Sequence, residues 1–146
     1  MSDTLDDEIA ALEALRADNL AQDEKARKAQ YLVDLKARVD LEGEHGTVTA
    51  VKLSRFVKGQ PTQVLVRAPS REEYKRYKSQ AFAAANSKGG AGQIVAGEML
   101  ANACWIYPAE AEEKAALLEV ASGLLSSITL AAVALAEGKA EDEGKG

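Results

Sequence analysis

The residues of this chain that could do chemistry are few and scattered. One histidine, His45, lies between Glu44 and Gly46, and one cysteine, Cys104, lies between Ala103 and Trp105. A nucleophilic thiol needs an electropositive, accessible setting, and an apolar neighbourhood leaves it inert. A zinc site needs closely spaced N, S or O ligands, which a lone His, a lone Cys and scattered carboxylates do not supply. Gly89, Gly90 and Gly92 precede an expected helix, an arrangement that can cradle phosphate. The next glycine is Gly97 and no G-K-S/T follows, so the run is neither a dinucleotide fingerprint nor a P-loop. Glu110, Glu112 and Glu113 crowd one helix start, where the helix dipole accounts for them without catalysis. These residues predict a protein that is not an enzyme and that uses no metal and no cofactor.

Binding chemistry is better represented. Arg71, Lys75 and Lys78 recur at four- and three-residue steps and share one helix face, with Arg76 to one side. Tyr74 and Tyr77 fall between them, where they could stack on bases. Tyrosines three residues apart equally well pack against a neighbouring helix, with their hydroxyls at its edge. The whole chain is acidic, with a pI near 5.0, which weighs against nucleic acid as the partner.

The elements that must position these residues follow from composition and periodicity. With 146 residues the chain suits one domain with appendages. Hydrophobic residues make up 47%, much of it alanine, and aromatics only 5%, so the core favours helices and has few bulky anchors. Charge is segregated: residues 1–45 carry a net −6, residues 46–90 a net +7 and residues 91–146 a net −6. A basic middle between acidic ends folds back on them, attracts an acidic partner, binds nucleic acid, or simply keeps a hairpin and a helix solvated. The single cysteine excludes an intramolecular disulfide and fits a reducing compartment. Asp3, Asp6, Asp7 and Glu8 lack the basic flank of a signal peptide. Val120 to Ala136 runs 17 residues without a charge, but Gly123 and several hydroxyl residues interrupt it, so it reads as a buried helix rather than a membrane span.

Leu5, Ile9, Leu12 and Leu15, and later Leu32, Leu35 and Val39, lie at helical spacing, so residues 1–45 form an acidic helical segment. It is either one long helix or two meeting near Asn19, serving as a partner-binding arm or packing on its own domain. Val48 to Val57 and Val64 to Ala68, separated by Lys58-Gly59-Gln60-Pro61, predict a two-strand hairpin. Ser70 and Glu73 form a capping box that starts a helix reaching to about Asn86. Further helices are expected from Gln93 to Ile106, from Glu110, and from Leu124 to Leu135 after a bend at Ser122-Gly123. The fold class is thus mainly α with a small β-hairpin: a long N-terminal helix, then a two-strand hairpin plus four helices over 46–137, and a disordered tail over 138–146.

A strand followed by Arg67-Ala68-Pro69-Ser70-Arg71-Glu72-Glu73-Tyr74-Lys75-Arg76-Tyr77, a loop, and Leu100 to Pro108 with its Trp105-Ile106-Tyr107 end, then Leu117-Leu118 and Ser122-Gly123-Leu124-Leu125, resembles the small tail assembly chaperones of long-tailed bacteriophages and prophages. The resemblance covers residues 62–138. It implies an α-rich, non-enzymatic protein of the host bacterial cytoplasm. Such a protein binds the long apolar tape measure protein, or other tail proteins, and keeps its client soluble until tail-tube subunits polymerise. The small size of the chain suits several copies to one client, and a homo-oligomer is a further expected contact. Residues 1–45 have no counterpart in that pattern. The expected partner-binding residues are Arg71, Tyr74, Tyr77, Leu125 and Ile128, with Trp105 and Ile106 assigned to the core. A structural tail component of the virion, or a nucleic-acid-binding module using residues 46–90, are the competing readings.

Overall fold

The capping box sets the centre of the molecule. Ser70 Oγ accepts from the Glu73 N–H at 3.1 Å, and Glu73 Oε1 accepts from the Ser70 N–H at 2.8 Å, so two orphan donors of the helix start are satisfied reciprocally. In the computed structural model, which describes residues 2–85 and 90–139, this box opens helix α2 (Arg71–Ala85). Before it come helix α1 (Ser2–His45) and strands β1 (Val48–Lys52) and β2 (Gln63–Arg67). After it come helix α3 (Ala91–Cys104), strand β3 (Trp105–Tyr107), and helices α4 (Ala111–Val120) and α5 (Leu124–Ala136). Mainly helical with a small antiparallel sheet is therefore the fold class, as the periodicity predicts.

α1 is the single long helix of the two forms expected, because no Gly or Pro interrupts residues 2–42. It stops where the Gly46 N–H closes onto the Glu42 carbonyl at 2.9 Å. Three boundaries differ from expectation. The first strand ends at Lys52 instead of Val57, and residues 53–62 form a loop held by the Leu53 N–H on the Thr62 carbonyl at 3.0 Å. The helix expected to reach Ile106 ends at Cys104, and Trp105–Tyr107 form a third strand, so the expected hairpin is a three-stranded sheet of order β1-β2-β3. At the C-terminus, Gly138 and Lys139 belong to the helix stop rather than to the expected tail. The Lys139 N–H reaches the Ala134 carbonyl at 2.8 Å and the Gly138 N–H that of Leu135 at 3.0 Å. The remainder of that tail, 140–146, and Asn86 lie outside the described residues.

β2 is the central strand and Gln63 to Val66 are all buried, so both of its faces are covered. Val64 and Val66 point into the main core with Leu100, Cys104, Trp105, Leu117, Leu124 and Ile128, while the other face meets α1. β3 pairs with β2 through Leu65 opposite Tyr107 and Val66 opposite Trp105, a register with one residue to spare. That irregularity lets Trp105 enter the core and Tyr107 reach the α1 side of the sheet. There Asp34, fully buried, accepts hydrogen bonds from the Tyr107 hydroxyl (2.6 Å), the Thr62 N–H (2.7 Å), the Thr62 hydroxyl (2.5 Å) and the Gln30 amide (2.9 Å). Four donors replace the water lost by the carboxylate, which makes its burial tolerable. Burial, and then the neighbouring Asp34, pushes the Tyr107 hydroxyl well above its ordinary pKa.

α3 and α5 approach each other over small residues. A Cβ at Gly97 would stand 3.4 Å from the Thr129 methyl, and the Thr129 hydroxyl donates to the Gly97 carbonyl at 2.7 Å. α2 crosses α3 more closely still, since a Cβ at Gly92 would lie 2.7 Å from the Ala84 Cβ. No single helix among the described residues is long and apolar enough to cross a membrane. α4 and α5 would suffice together, but they bend by 111° at their junction, and Leu117, Leu124, Ile128 and Ala132 are buried in the core.

Candidate functional site

The expected partner-binding residues all lie on or beneath the surface formed by α2, α3 and α5. Arg67, at the end of β2, sets α2 in place. Its guanidinium grips both oxygens of Glu73 at 2.9 and 3.0 Å and donates to the Ala103 carbonyl at 2.7 Å, near the end of α3. One cation thus ties strand, helix start and helix end together, in the bidentate geometry that favours Arg. The Arg67 guanidinium, with the Ser70 backbone in support, holds the Glu73 carboxyl down at about 2.

Held in this way, α2 turns Tyr74 and Tyr77 toward its neighbours. Their rings stack with centroids 6.3 Å apart, the Tyr74 hydroxyl approaches Glu137 at 3.4 Å, and Lys78 Nζ lies 5.6 Å above the Tyr74 ring. Both tyrosines are half-buried, whereas Arg71, Lys75, Arg76 and Lys78 are exposed along the outer face. Tyr77 lines an open, mostly apolar groove of about 340 Å³ between α3 and α5, whose polar members are Gln93, Glu98, Ser126 and Thr129. Gly97 and Thr129 form its floor, Leu125 lines its wall, and Ile94 and Leu130 stand at its lips, 63% and 72% exposed. Val95 and Met99 continue the exposed apolar surface of α3. Large side chains are thus left in water on two adjoining helices, beside a hollow lined by small residues.

One expected contact residue is misplaced. Ile128 is fully buried in the core beside Val64, Val66 and Trp105, so it supports the groove from beneath and cannot touch a partner. The stripe Leu124, Ile128, Ala131, Leu135 is the inward face of α5, and the lip is Leu130, two residues on from Ile128 and on another side of the helix. Ile94 and Leu130 carry no sequence signal, because both helices are apolar around most of their circumference. Gly97 in mid-helix was the legible hint, since a glycine there weakens the helix unless a close contact uses it.

Trp105 is buried, donating its indole N–H to the Tyr107 carbonyl at 2.9 Å, with Lys114 Nζ 5.4 Å above its ring, and Ile106 is half-buried. Cys104 is fully buried, and desolvation raises its thiol to about 11 against the opposing pull of the Arg67 charge, which leaves it a poor nucleophile. His45 lies 4.0 Å from Glu44 at the end of α1 and is not among the residues lining the groove. Among the described residues no three His, Cys, Asp or Glu side chains gather to hold a metal ion. A second hollow, of about 330 Å³, lies between α1 and the sheet, lined by Arg27, Lys28, Tyr31 and Lys52, with Glu24 on α1 3.8 Å from Arg27. No family model, no curated protein and no solved structure matches the chain.

Proposed function

We propose that the chain is a non-catalytic binding protein of the tail-assembly-chaperone kind, which holds an apolar helical stretch of the tape measure protein and keeps it from aggregating. The observation that carries this reading is the α3–α5 groove, where Ile94 and Leu130 stand open to solvent, with half-buried Leu125, Gly97 and Thr129 lining the hollow beside them. A client helix lays apolar anchors spaced three and four residues apart into such a seat. Met99, flexible and polarizable, suits a surface that accepts varied sequences. An acidic N-terminal segment, net −6 over residues 1–45, and a further net −6 over residues 91–146 keep the complex dispersed.

Tyr74 and Tyr77 stack on each other and turn toward α3 and α5, which favours a structural and groove-lining role over base stacking. The test is co-expression with a tape measure fragment: the chain should co-purify with it and raise its soluble yield. A fragment that stays insoluble and unbound overturns the reading, and a chain retained in purified particles would instead make it a structural tail component.

A further inference from the structure

Where α1 parts from the sheet, its inner face turns from Asp34 to a group of cations. Glu24, Arg27, Lys28, Tyr31 and Asp34 follow one another at helical steps, so they share one side of the helix. Asp34 fastens that side to Thr62. Toward the N-terminus the same side stands off from the sheet and leaves the hollow of about 330 Å³. Across from α1, the hollow is walled by the open end of the β1–β2 ladder. There Lys52 pairs with Gln63, and the Leu53 N–H closes onto the Thr62 carbonyl at 3.0 Å.

Charge and an unpaired donor say what this space takes. Arg27 and Lys28 come from α1 and Lys52 from the end of β1, and Glu24 is the one carboxylate among the lining residues, a balance of +2. That balance stands on a helix whose segment, residues 1–45, carries a net −6. Lys28 and Lys52 have no hydrogen bond or ion pair among the described residues. Arg27 has only its 3.8 Å contact with Glu24, and both of those side chains are more than half exposed. Cations gathered without a counter-charge repel one another, and an anion set between them removes that cost. A phosphate monoester carries about −1.5 to −2 near neutral pH and matches +2, where a carboxylate matches half of it. Arg27 adds the planar fork that takes two phosphate oxygens at once.

Gln63 lines the same hollow and is 3% exposed, and its amide nitrogen is buried without a hydrogen-bond partner among the described residues. A buried donor left unpaired costs free energy, and a ligand oxygen in the hollow is the acceptor it lacks. Tyr31, 44% exposed, and Leu53 give the hollow apolar surface. Its volume is more than a bare phosphate fills and falls in the range of small-molecule sites, roughly 300–1,000 Å³. The ligand therefore has a body as well as a charged head.

We propose that the hollow between α1 and the β1–β2 hairpin binds a small organic phosphate, its head held by Arg27, Lys28, Lys52 and the Gln63 amide, its apolar body against Tyr31 and Leu53. Bound there, the ligand bridges α1 to the hairpin beside the Asp34–Thr62 joint and stiffens the root of the helix. The site shares no lining residue with the α3–α5 groove, so it stands or falls apart from the client-binding reading.

Calorimetric titration of the full chain with phenyl phosphate tests it, with inorganic phosphate, benzoate and a short single-stranded oligonucleotide as the other arms. Phenyl phosphate should saturate one site per chain with a Kd below about 1 mM. Inorganic phosphate and benzoate should each bind at least about tenfold more weakly, the first for want of a body and the second for want of charge. Lys28→Ala with Lys52→Ala should weaken phenyl phosphate at least about tenfold. Lys36→Ala with Lys58→Ala removes the same charge at two exposed positions outside the hollow and should change it by less than about twofold. All four lysines are exposed, so circular dichroism should match the parent for both pairs. Gln63→Met keeps the wall without the donor and should weaken binding about threefold or more. Absence of phenyl phosphate binding at millimolar concentration, equal binding of inorganic phosphate or benzoate, equal losses from the two lysine pairs, or undiminished binding by Gln63→Met would each overturn the proposal. An oligonucleotide that binds more tightly than phenyl phosphate would overturn it too, and would make these cations a nucleic-acid surface.

Discussion

At the scale of single side chains, two polar clusters bear the geometry on which the binding surface depends. The Arg67–Glu73 pair is one, and its contribution has a definite pH signature. Glu73 holds its proton-free form down to about 2, against an ordinary 4.5, so the native state binds fewer protons than the unfolded one between those values. The stabilisation is complete above the ordinary value and is lost as pH falls toward about 2. Glu73→Gln, which keeps an acceptor for the Ser70 N–H but removes the charge, should cost about 1–2 kcal/mol near neutral pH. Urea midpoints of parent and variant should differ by a constant amount above about pH 5 and converge at lower pH. A gap that persists unchanged into acid would show that the charge of Glu73 contributes nothing.

At the scale of elements, the decisive joint is between α1 and the sheet, where buried Asp34 gathers Gln30, Thr62 and Tyr107. Asp34→Ala leaves those donors without an acceptor and should cost about 2–4 kcal/mol. Hydrogen exchange should show the loss at the C-terminal half of α1 and at Thr62 before it reaches α3 and α5. Uniform destabilisation, or none, would contradict the pinning role. This joint was not legible in the sequence, because an aspartate on an acidic helix looks the same whether solvent or four donors surround it. The start of α2 was legible, since Ser70 and Glu73 carry the whole capping motif within four residues. β3 was not, because Trp105-Ile106-Tyr107 continues an apolar helical run and only its pairing with Leu65 and Val66 makes it a strand. The groove was half legible: Tyr77 and Leu125, two residues the sequence singles out, line it. Ile94 and Leu130 were not legible, because helices apolar on nearly every side do not mark which side faces water.

At the scale of the whole molecule, charge and apolar surface are partitioned together. An acidic rod stands out from a domain whose middle is basic and whose α3–α5 face is open and apolar. Such a layout favours binding governed by apolar contact in the groove, with charge guiding approach rather than holding the complex. The proposed client-binding role makes that division measurable. The most direct test is a titration of the full chain with a helical tape measure segment, repeated with Leu130→Glu and with Arg71→Glu plus Lys75→Glu. Leu130→Glu should weaken binding by about tenfold or more, having put a charge at an apolar lip. The double charge reversal should change affinity by a few-fold and chiefly at low salt. Equal binding by parent and Leu130→Glu, or capture lost only with the basic residues and steeply with rising salt, would contradict the account.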